Sequence, residues 1–165
     1  MKYITQKDMR KLIGSVSSQR DSLVIRIIYE TGCSLKELAG IKVSDIAGNM
    51  IRTGKAARFS QISGKLSKDL KLYTEGNSIK KESLLFDISG RRISQLTESH
   101  AEKILGTRLT PHDLRNLHIM HAYLNGVYLE NIAGQTGLSE LRIFQIISSF
   151  NVKPERNYGN FLKRT

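Results

Sequence analysis

Capped amphipathic helix patterns follow one another along most of this chain. Thr5-Gln6-Lys7-Asp8 has the form of a capping box, and the apolar residues after it recur at the spacing of one helix face. Ser34-Leu35-Lys36-Glu37 repeats the capping-box pattern, and Pro111 stands at a predicted helix start, where proline is favoured. A mainly helical domain is therefore predicted. After a first helix at Thr5, the predicted helices cover residues 20–30, 35–39, 94–105, 111–125, 129–136 and 139–149, and another carries Leu66, Leu70 and Tyr73.

One stretch around Gly54 has the pattern of β-strands instead. Met50-Ile51-Arg52-Thr53 and Arg58-Phe59-Ser60-Gln61-Ile62 flank the glycine and predict a hairpin. Residues 83–87 predict a short third strand. The expected fold class is α+β and mainly helical, with a small antiparallel hairpin or three-stranded sheet. Residues 1–165 are expected to form a single domain.

The chain is strongly basic. Its 165 residues include 26 lysines and arginines against 15 acidic residues, which is a net charge of +11. A charge of this size on a small domain attracts polyanions over several ångströms and predicts a nucleic-acid partner.

Composition also excludes several classes of protein. Cys33 is the only cysteine, which rules out an internal disulfide and a multi-cysteine metal site. No run of apolar residues exceeds three, so no membrane-spanning helix is expected, and the N-terminus lacks a signal peptide's apolar stretch. His118 and His121 have a spacing compatible with metal, but no third ligand is evident, and His100 is expected on a solvated helix face. The sequence predicts no metal site, no membrane association and a cytoplasmic location.

Three segments carry a set of motifs in a defined order. The first contains Ile28-Tyr29-Glu30-Thr31-Gly32 and Lys36-Glu37-Leu38; the second is Thr53-Gly54-Lys55; the third is Thr110-Pro111-His112-Asp113-Leu114-Arg115, followed by Asn125-Gly126-Val127. In this order and spacing they resemble the catalytic domain of the tyrosine recombinases, the phage integrase family, over nearly the whole chain. The resemblance implies that domain's fold, double-stranded DNA as partner, and no metal or cofactor. It also implies that the family's N-terminal core-binding domain is absent, because the first predicted helix already matches the catalytic domain.

The resemblance assigns roles to three basic residues. In the family, a tyrosine hydroxyl attacks a backbone phosphate while arginine, histidine and lysine groups neutralise charge on the transferring phosphoryl group. Lys55 falls at the hairpin lysine position, and His112 and Arg115 fall on the His-x-x-Arg pair, one helical turn apart. Lys55, His112 and Arg115 are the candidate catalytic residues and, together with Arg58, the candidate DNA-binding residues.

Three other catalytic positions of the family are substituted. The first arginine position holds Ser34, and in an ungapped alignment the last histidine position holds Leu138 and the tyrosine position Ile147. Ser34 is expected to cap a helix, and the two aliphatic residues are expected to pack in the interior. Since isoleucine has no nucleophilic atom, the sequence predicts a DNA-binding, integrase-like pseudoenzyme that is defective in strand cleavage. An active recombinase or a second copy of the chain is a further expected partner.

Two alternatives stay open at this stage. Val152-Lys153-Pro154-Glu155-Arg156-Asn157-Tyr158 echoes the stretch before the nucleophile in many integrases, so an insertion would make Tyr158 the nucleophile of an active recombinase. A helix-turn-helix transcriptional regulator is the other alternative. Its apolar and glycine spacing is matched by Ile132-Ala133, Gly137-Leu138, Ile143 and Ile146.

Overall fold

The computed structural model describes residues 3–54 and 58–151. Within these residues the chain forms eight α-helices and one three-stranded antiparallel sheet, which confirms the predicted fold class. The helices are α1 (Gln6–Ser15), α2 (Gln19–Thr31), α3 (Leu35–Ala39), α4 (Gly64–Gly76), α5 (Gly90–Leu105), α6 (Pro111–Leu124), α7 (Leu129–Thr136) and α8 (Glu140–Ser149). The strands are β1 (Ile46–Ala47), β2 (Met50–Thr53) and β3 (Arg58–Gln61), and a 3₁₀ turn at Val43–Asp45 leads into β1.

Reciprocal side-chain caps define where three of the helices begin. In each cap, a hydroxyl accepts a hydrogen bond from a backbone amide three residues on, and an acidic side chain accepts one in return. The pairs are Thr5 with Asp8, Ser34 with Glu37, and Thr110 with Asp113. Such caps satisfy amide groups that the first turn of a helix leaves unpaired. The capping boxes predicted at Thr5 and Ser34 are confirmed.

The sheet has the strand order β1-β2-β3, and the predicted hairpin is its β2–β3 pair. The prediction of a strand at residues 83–87 is wrong, because the third strand is β1. Leu84 forms only an isolated bridge with Lys42, while Leu85 and Phe86 are buried in the core. The apolar residues here resemble a strand in sequence because two of them are buried in the core, although the segment forms no ladder of hydrogen bonds.

Helix α5 begins earlier than predicted. Ser89 caps it by accepting a hydrogen bond from the Arg92 amide at 3.2 Å, so the helix starts at Gly90 rather than residue 94. The first turn contains Gly90, Arg91 and Arg92, which add no apolar residue to the helical pattern. The predicted bounds of α7 agree with the structure.

Helix α2 forms the centre of the molecule. Its aliphatic side chains, from Leu23 to Ile28, are at most 2% exposed, and α1, α4, α5 and α6 pack around it. Arg26 is buried in the same helix, where its guanidinium pairs with Asp69 at 2.5 Å and with Glu30 at 3.6 Å. A buried charge is tolerated only when it is paired in this way.

A second apolar cluster joins α6, α7 and α8. Ile119, Ile132, Ile143 and Ile147 are among its buried members. The cluster holds the last two helices against α6 and leaves the C-terminal end of α7 beside β3, which is the arrangement that builds the site described next.

Candidate nucleic-acid interface

Four segments of the chain meet around two arginines. The start of α3 contributes Glu37, the start of β3 contributes Arg58, the first turn of α6 leads to Arg115, and the end of α7 contributes carbonyl groups. The caps of α3 and α6 fix where those helices begin, and the hairpin delivers β3 to the same place.

Arg115 lies on α6 and points to the end of α7. Its Nη2 donates a hydrogen bond to the Thr136 carbonyl oxygen at 2.8 Å, while its Nε is buried and has no hydrogen-bond partner among the described residues. Burial lowers the pKa of Arg115 below its ordinary value, and the negative charge of Glu37 opposes that shift. Because Arg115 also lines a cleft, its guanidinium charge is placed to attract an anion such as a phosphate.

Arg58 reaches the same place from β3. Its Nη1 donates to Glu37 Oε1 at 2.8 Å and its Nε donates to the Gln135 carbonyl oxygen at 3.1 Å. Its Nη2 is buried and lacks a partner within the described part of the chain. Arg58 and Arg115 therefore both bind carbonyl groups at the C-terminal end of α7, where the helix dipole favours cations.

Glu37 is the carboxylate that partly neutralises the positive charge of these two arginines. Burial by itself would raise the pKa of Glu37, but hydrogen bonds from Arg58 and Ser34 outweigh burial, so the pKa is lowered. Glu37 is consequently ionised at neutral pH. Two arginines against one carboxylate leave the site with a positive surplus.

Two glycines make room for Arg58. Gly54, at the end of β2, has φ +72°, and a Cβ there would lie 2.8 Å from Glu37 Oε1 and 3.2 Å from Arg58 Nη1. Gly137, at the end of α7, has φ +71°, and a Cβ there would overlap Arg58 Nη1 and lie 2.9 Å from its Cζ. Both positions combine a left-handed backbone with contact to the buried ion pair, so each requires glycine.

Ser34 stands between two clefts. Its backbone amide donates to Glu37 Oε2 at 2.7 Å and its hydroxyl accepts from the Glu37 amide at 3.3 Å, so the predicted helix-capping role is confirmed. One cleft, the Arg115 cleft, has a volume of about 580 Å³ and is lined by residues that include Ser34, Lys36, Glu98, His112 and Arg115. The other, the hairpin cleft, has a volume of about 610 Å³ and is lined by residues that include Ser34, Lys36, Glu37, Arg52 and Gly54.

The structure brings His112 and Arg115 into one cleft, as their spacing on α6 predicts. His112 is exposed at the start of α6, and Arg115 lies deeper in the cleft. Arg58 joins Arg115 through Glu37 and the end of α7. Lys55 and Tyr158, the other two predicted site residues, lie outside the described residues.

The two aliphatic residues at substituted positions pack as expected. Ile147 is 7% exposed and belongs to the apolar cluster of α6, α7 and α8. Leu138 is partly buried against the same cluster. Each side chain is held by apolar neighbours.

Gln135 is a site residue that sequence reasoning missed. Its side chain accepts from the Gln61 amide at 2.8 Å and donates to the Gln61 carbonyl at 2.7 Å, so it pairs with the edge of β3 as another strand would. It also donates to the Glu30 carbonyl at 3.1 Å, while its own carbonyl accepts from Arg58 and Ser60. Nothing in the local sequence marks this role except a polar residue beside the apolar face of α7.

The histidines outside the cleft have structural partners. His118 Nδ1 donates to the Tyr29 carbonyl at 2.7 Å; His121 Nε2 donates to the Ile4 carbonyl at 2.9 Å and its Nδ1 accepts from the Tyr29 hydroxyl at 2.8 Å. The expectation that His100 is solvated is wrong, because it is half-buried and its Nε2 lies 3.0 Å from Asp21 Oδ2. Among the described residues, no group of three His, Cys, Asp or Glu side chains is placed to hold a metal ion. The described helices include none that is long and apolar enough to cross a bilayer.

The chain is similar in sequence to several tyrosine recombinases. The chain is 27% identical over 167 residues to the tyrosine recombinase XerA of Thermococcus kodakarensis, an alignment that covers 92% of this chain and 59% of that protein. It thus spans about three-fifths of the length of the curated relatives that it matches. No family model matches the chain.

Solved structures agree with this similarity. The crystal structure of XerA recombinase superposes with a TM-score of 0.81 at 18% identity, covering 98% of this chain and 64% of that one. The XerH site-specific recombinase bound to its difH substrate superposes with a TM-score of 0.74 at 18% identity, covering 90% and 50% of the two chains. These matches do not favour a helix-turn-helix regulator. The chain is therefore similar in sequence to tyrosine recombinases, and it has the fold of their catalytic domain.

Proposed function

We propose that this chain is an integrase-like protein that binds double-stranded DNA through backbone phosphates and is defective in strand cleavage. The observation that carries the proposal is the contrast between two parts of the site. Arg115 and Arg58 each keep a buried guanidinium N–H group that has no partner among the described residues, whereas the position aligned with the nucleophilic tyrosine holds Ile147, packed in an apolar cluster.

The site is suited to bind phosphate more than to cleave it. The guanidinium groups of Arg115 and Arg58 stabilise negative charge on a bound phosphate, and the His112 imidazole adds a hydrogen-bond donor. Cleavage needs in addition a nucleophile and donors aimed at the charge of the transition state, and loss of one such donor typically slows a reaction by roughly 10²–10³-fold. With Ser34 in place of an arginine and Ile147 in place of a tyrosine, binding without strand cleavage is the expected outcome.

The partners follow from the same argument. DNA held mainly through phosphates is bound with little sequence preference of the protein's own, so selectivity would come from an active recombinase bound to the same DNA. A second copy of this chain would add phosphate contacts and so raise the affinity. We place this activity in the cytoplasm.

Binding is tested by fluorescence anisotropy with a mixed-sequence duplex at several salt concentrations. We expect the logarithm of the association constant to fall linearly with the logarithm of salt concentration, because phosphate contacts release counterions. Arg115→Ala should weaken binding strongly, while Arg142→Ala, an exposed arginine on α8, should change it little. Binding that does not respond to salt would contradict the proposal.

Cleavage is tested on a pool of nicked duplexes of random sequence, in which the nick traps a covalent product. We expect no protein–DNA adduct on a denaturing gel. An adduct that disappears in the Tyr158→Phe variant would show that the chain is an active recombinase with Tyr158 as nucleophile.

A further inference from the structure

Lys36 occupies an unusual position in the site. It is exposed in the first turn of α3, two residues after Ser34, and it lines both the Arg115 cleft and the hairpin cleft. The two clefts therefore share one lysine at the place where they meet.

The acidic residues around Lys36 are already paired. Glu37 binds Arg58 at 2.8 Å, Glu98 binds Arg108 Nε at 2.8 Å, and Asp45 binds Arg52 at 2.7 Å. Within the described part of the chain, no carboxylate is within ion-pair distance of the Lys36 ammonium group. The positive charge of Lys36 is thus available to an anion.

The Arg115 cleft has the charge balance of an anion site. Lys36, His112 and Arg115 line it, and its carboxylate, Glu98, is neutralised by Arg108. The Nε group of Arg115 is buried without a partner among the described residues. A phosphate in this cleft would neutralise the ammonium charge of Lys36 and lie beside the positive charge of the Arg115 guanidinium.

We propose that Lys36 is a phosphate-binding residue of this site and replaces, from a position two residues further along the chain, the cation that Ser34 does not provide. This inference rests on the proposed function. A lysine is a flexible point charge, whereas an arginine offers a planar fork that grips two phosphate oxygens. Lys36 therefore restores attraction to DNA without restoring the geometry that an arginine would impose on the reacting phosphate.

The test compares Lys36→Ala with Lys103→Ala in the full chain. Lys103 is also exposed, loses the same charge, and lines neither cleft. The measured quantity is the slope of the logarithm of the association constant against the logarithm of salt concentration, with a mixed-sequence duplex. We expect Lys36→Ala to make this negative slope shallower by about one, which corresponds to one lost phosphate contact. Lys103→Ala should leave the slope close to that of the unaltered chain. Lys36→Arg should keep the affinity and the slope.

The outcomes separate this inference from the function on which it rests. If Lys36→Ala and Lys103→Ala weaken binding equally, or if Lys36→Arg binds as poorly as Lys36→Ala, the role of Lys36 is refuted while DNA binding stands. If the unaltered chain does not bind duplex DNA, the proposed function itself fails. Thermal denaturation of each variant checks that it is folded.

Discussion

Arg58 and Gly137 depend on each other at the scale of single residues. The guanidinium of Arg58 lies where a Cβ on residue 137 would be, and hydrogen bonds to Glu37 and to the Gln135 carbonyl hold it there. Although the end of an arginine side chain is usually flexible, these bonds remove its freedom to move aside. The site therefore depends on a residue that has no side chain.

Gly137→Ala should consequently damage both stability and DNA binding. The left-handed backbone should cost about 1–2 kcal/mol of unfolding free energy for any residue with a Cβ, and the Cβ should also displace Arg58. Chemical denaturation measures the first effect, and anisotropy with duplex DNA measures the second.

Gly106→Ala provides the matched control. Gly106 also follows a helix in a left-handed conformation, at φ +66°, but nothing lies within 4 Å of its Cβ position. We expect a similar loss of stability with unchanged DNA affinity. Equal DNA affinities in the two variants would contradict the coupling between Gly137 and Arg58.

At the scale of elements, Gln135 connects α7 to the sheet: its carbonyl accepts from the Arg58 and Ser60 side chains, and its own side chain bonds the backbone of β3. The amide of Gln135 bonds both backbone groups of Gln61 on β3 and the Glu30 carbonyl on α2. Since the carbonyls at the end of α7 bind Arg58 and Arg115, the placement of both arginines depends on this attachment.

Gln135→Ala should loosen α7 from β3 while the fold remains. Loss of these partly exposed hydrogen bonds should lower the unfolding free energy by about 1–2 kcal/mol. Hydrogen exchange offers a local measurement, because the Gln61 amide loses its acceptor and should exchange faster. Gln145→Ala, on the exposed face of α8, should leave that amide protected; similar protection of Gln61 in both variants would refute the role of Gln135.

At the scale of the whole molecule, His118 makes stability depend on pH. Burial lowers its pKa from 6.5 to about 4, and its Nδ1–H group bonds the Tyr29 carbonyl on α2. Because the folded-state pKa lies below the unfolded value, the unfolded chain binds more protons between these two values. Stability should therefore be complete above about pH 6.5 and should decline as the pH falls toward 4, with a slope of up to about 1.4 kcal/mol per pH unit for one proton.

His118→Gln tests this origin of the pH dependence. Glutamine retains a donor but does not titrate. The unfolding free energy, measured by urea denaturation between pH 4 and 6.5, should therefore change less steeply with pH than in the unaltered chain. Part of the slope should persist, because burial also lowers the pKa of His121. If the unfolding free energy depended on pH equally in the two proteins, His118 would be excluded as a cause of the pH dependence.

Local patterns predicted much of this molecule. A capping box involves residues three positions apart, a left-handed glycine such as Gly32 ends a helix within one turn, and a hairpin pairs neighbouring segments. Their physical causes are short-range, so the sequence alone determined most helix positions and the hairpin, and the order of its motifs indicated the resemblance to tyrosine recombinases. The spacing of His112 and Arg115 on one helix was predictable for the same reason.

Contacts between distant segments were decided by the tertiary structure. Arg58 and Glu37 are 21 residues apart, and Gln135 and Gln61 are 74 apart, so no local pattern could indicate either pair. Each arginine keeps one N–H group without a partner in the described part of the chain, and Lys36 lies between two clefts. Both features likewise depend on how α3, α6, α7 and the sheet pack together. The sequence determined which charges the chain carries; packing decided which of them are neutralised by neighbours and which remain free to bind an anion.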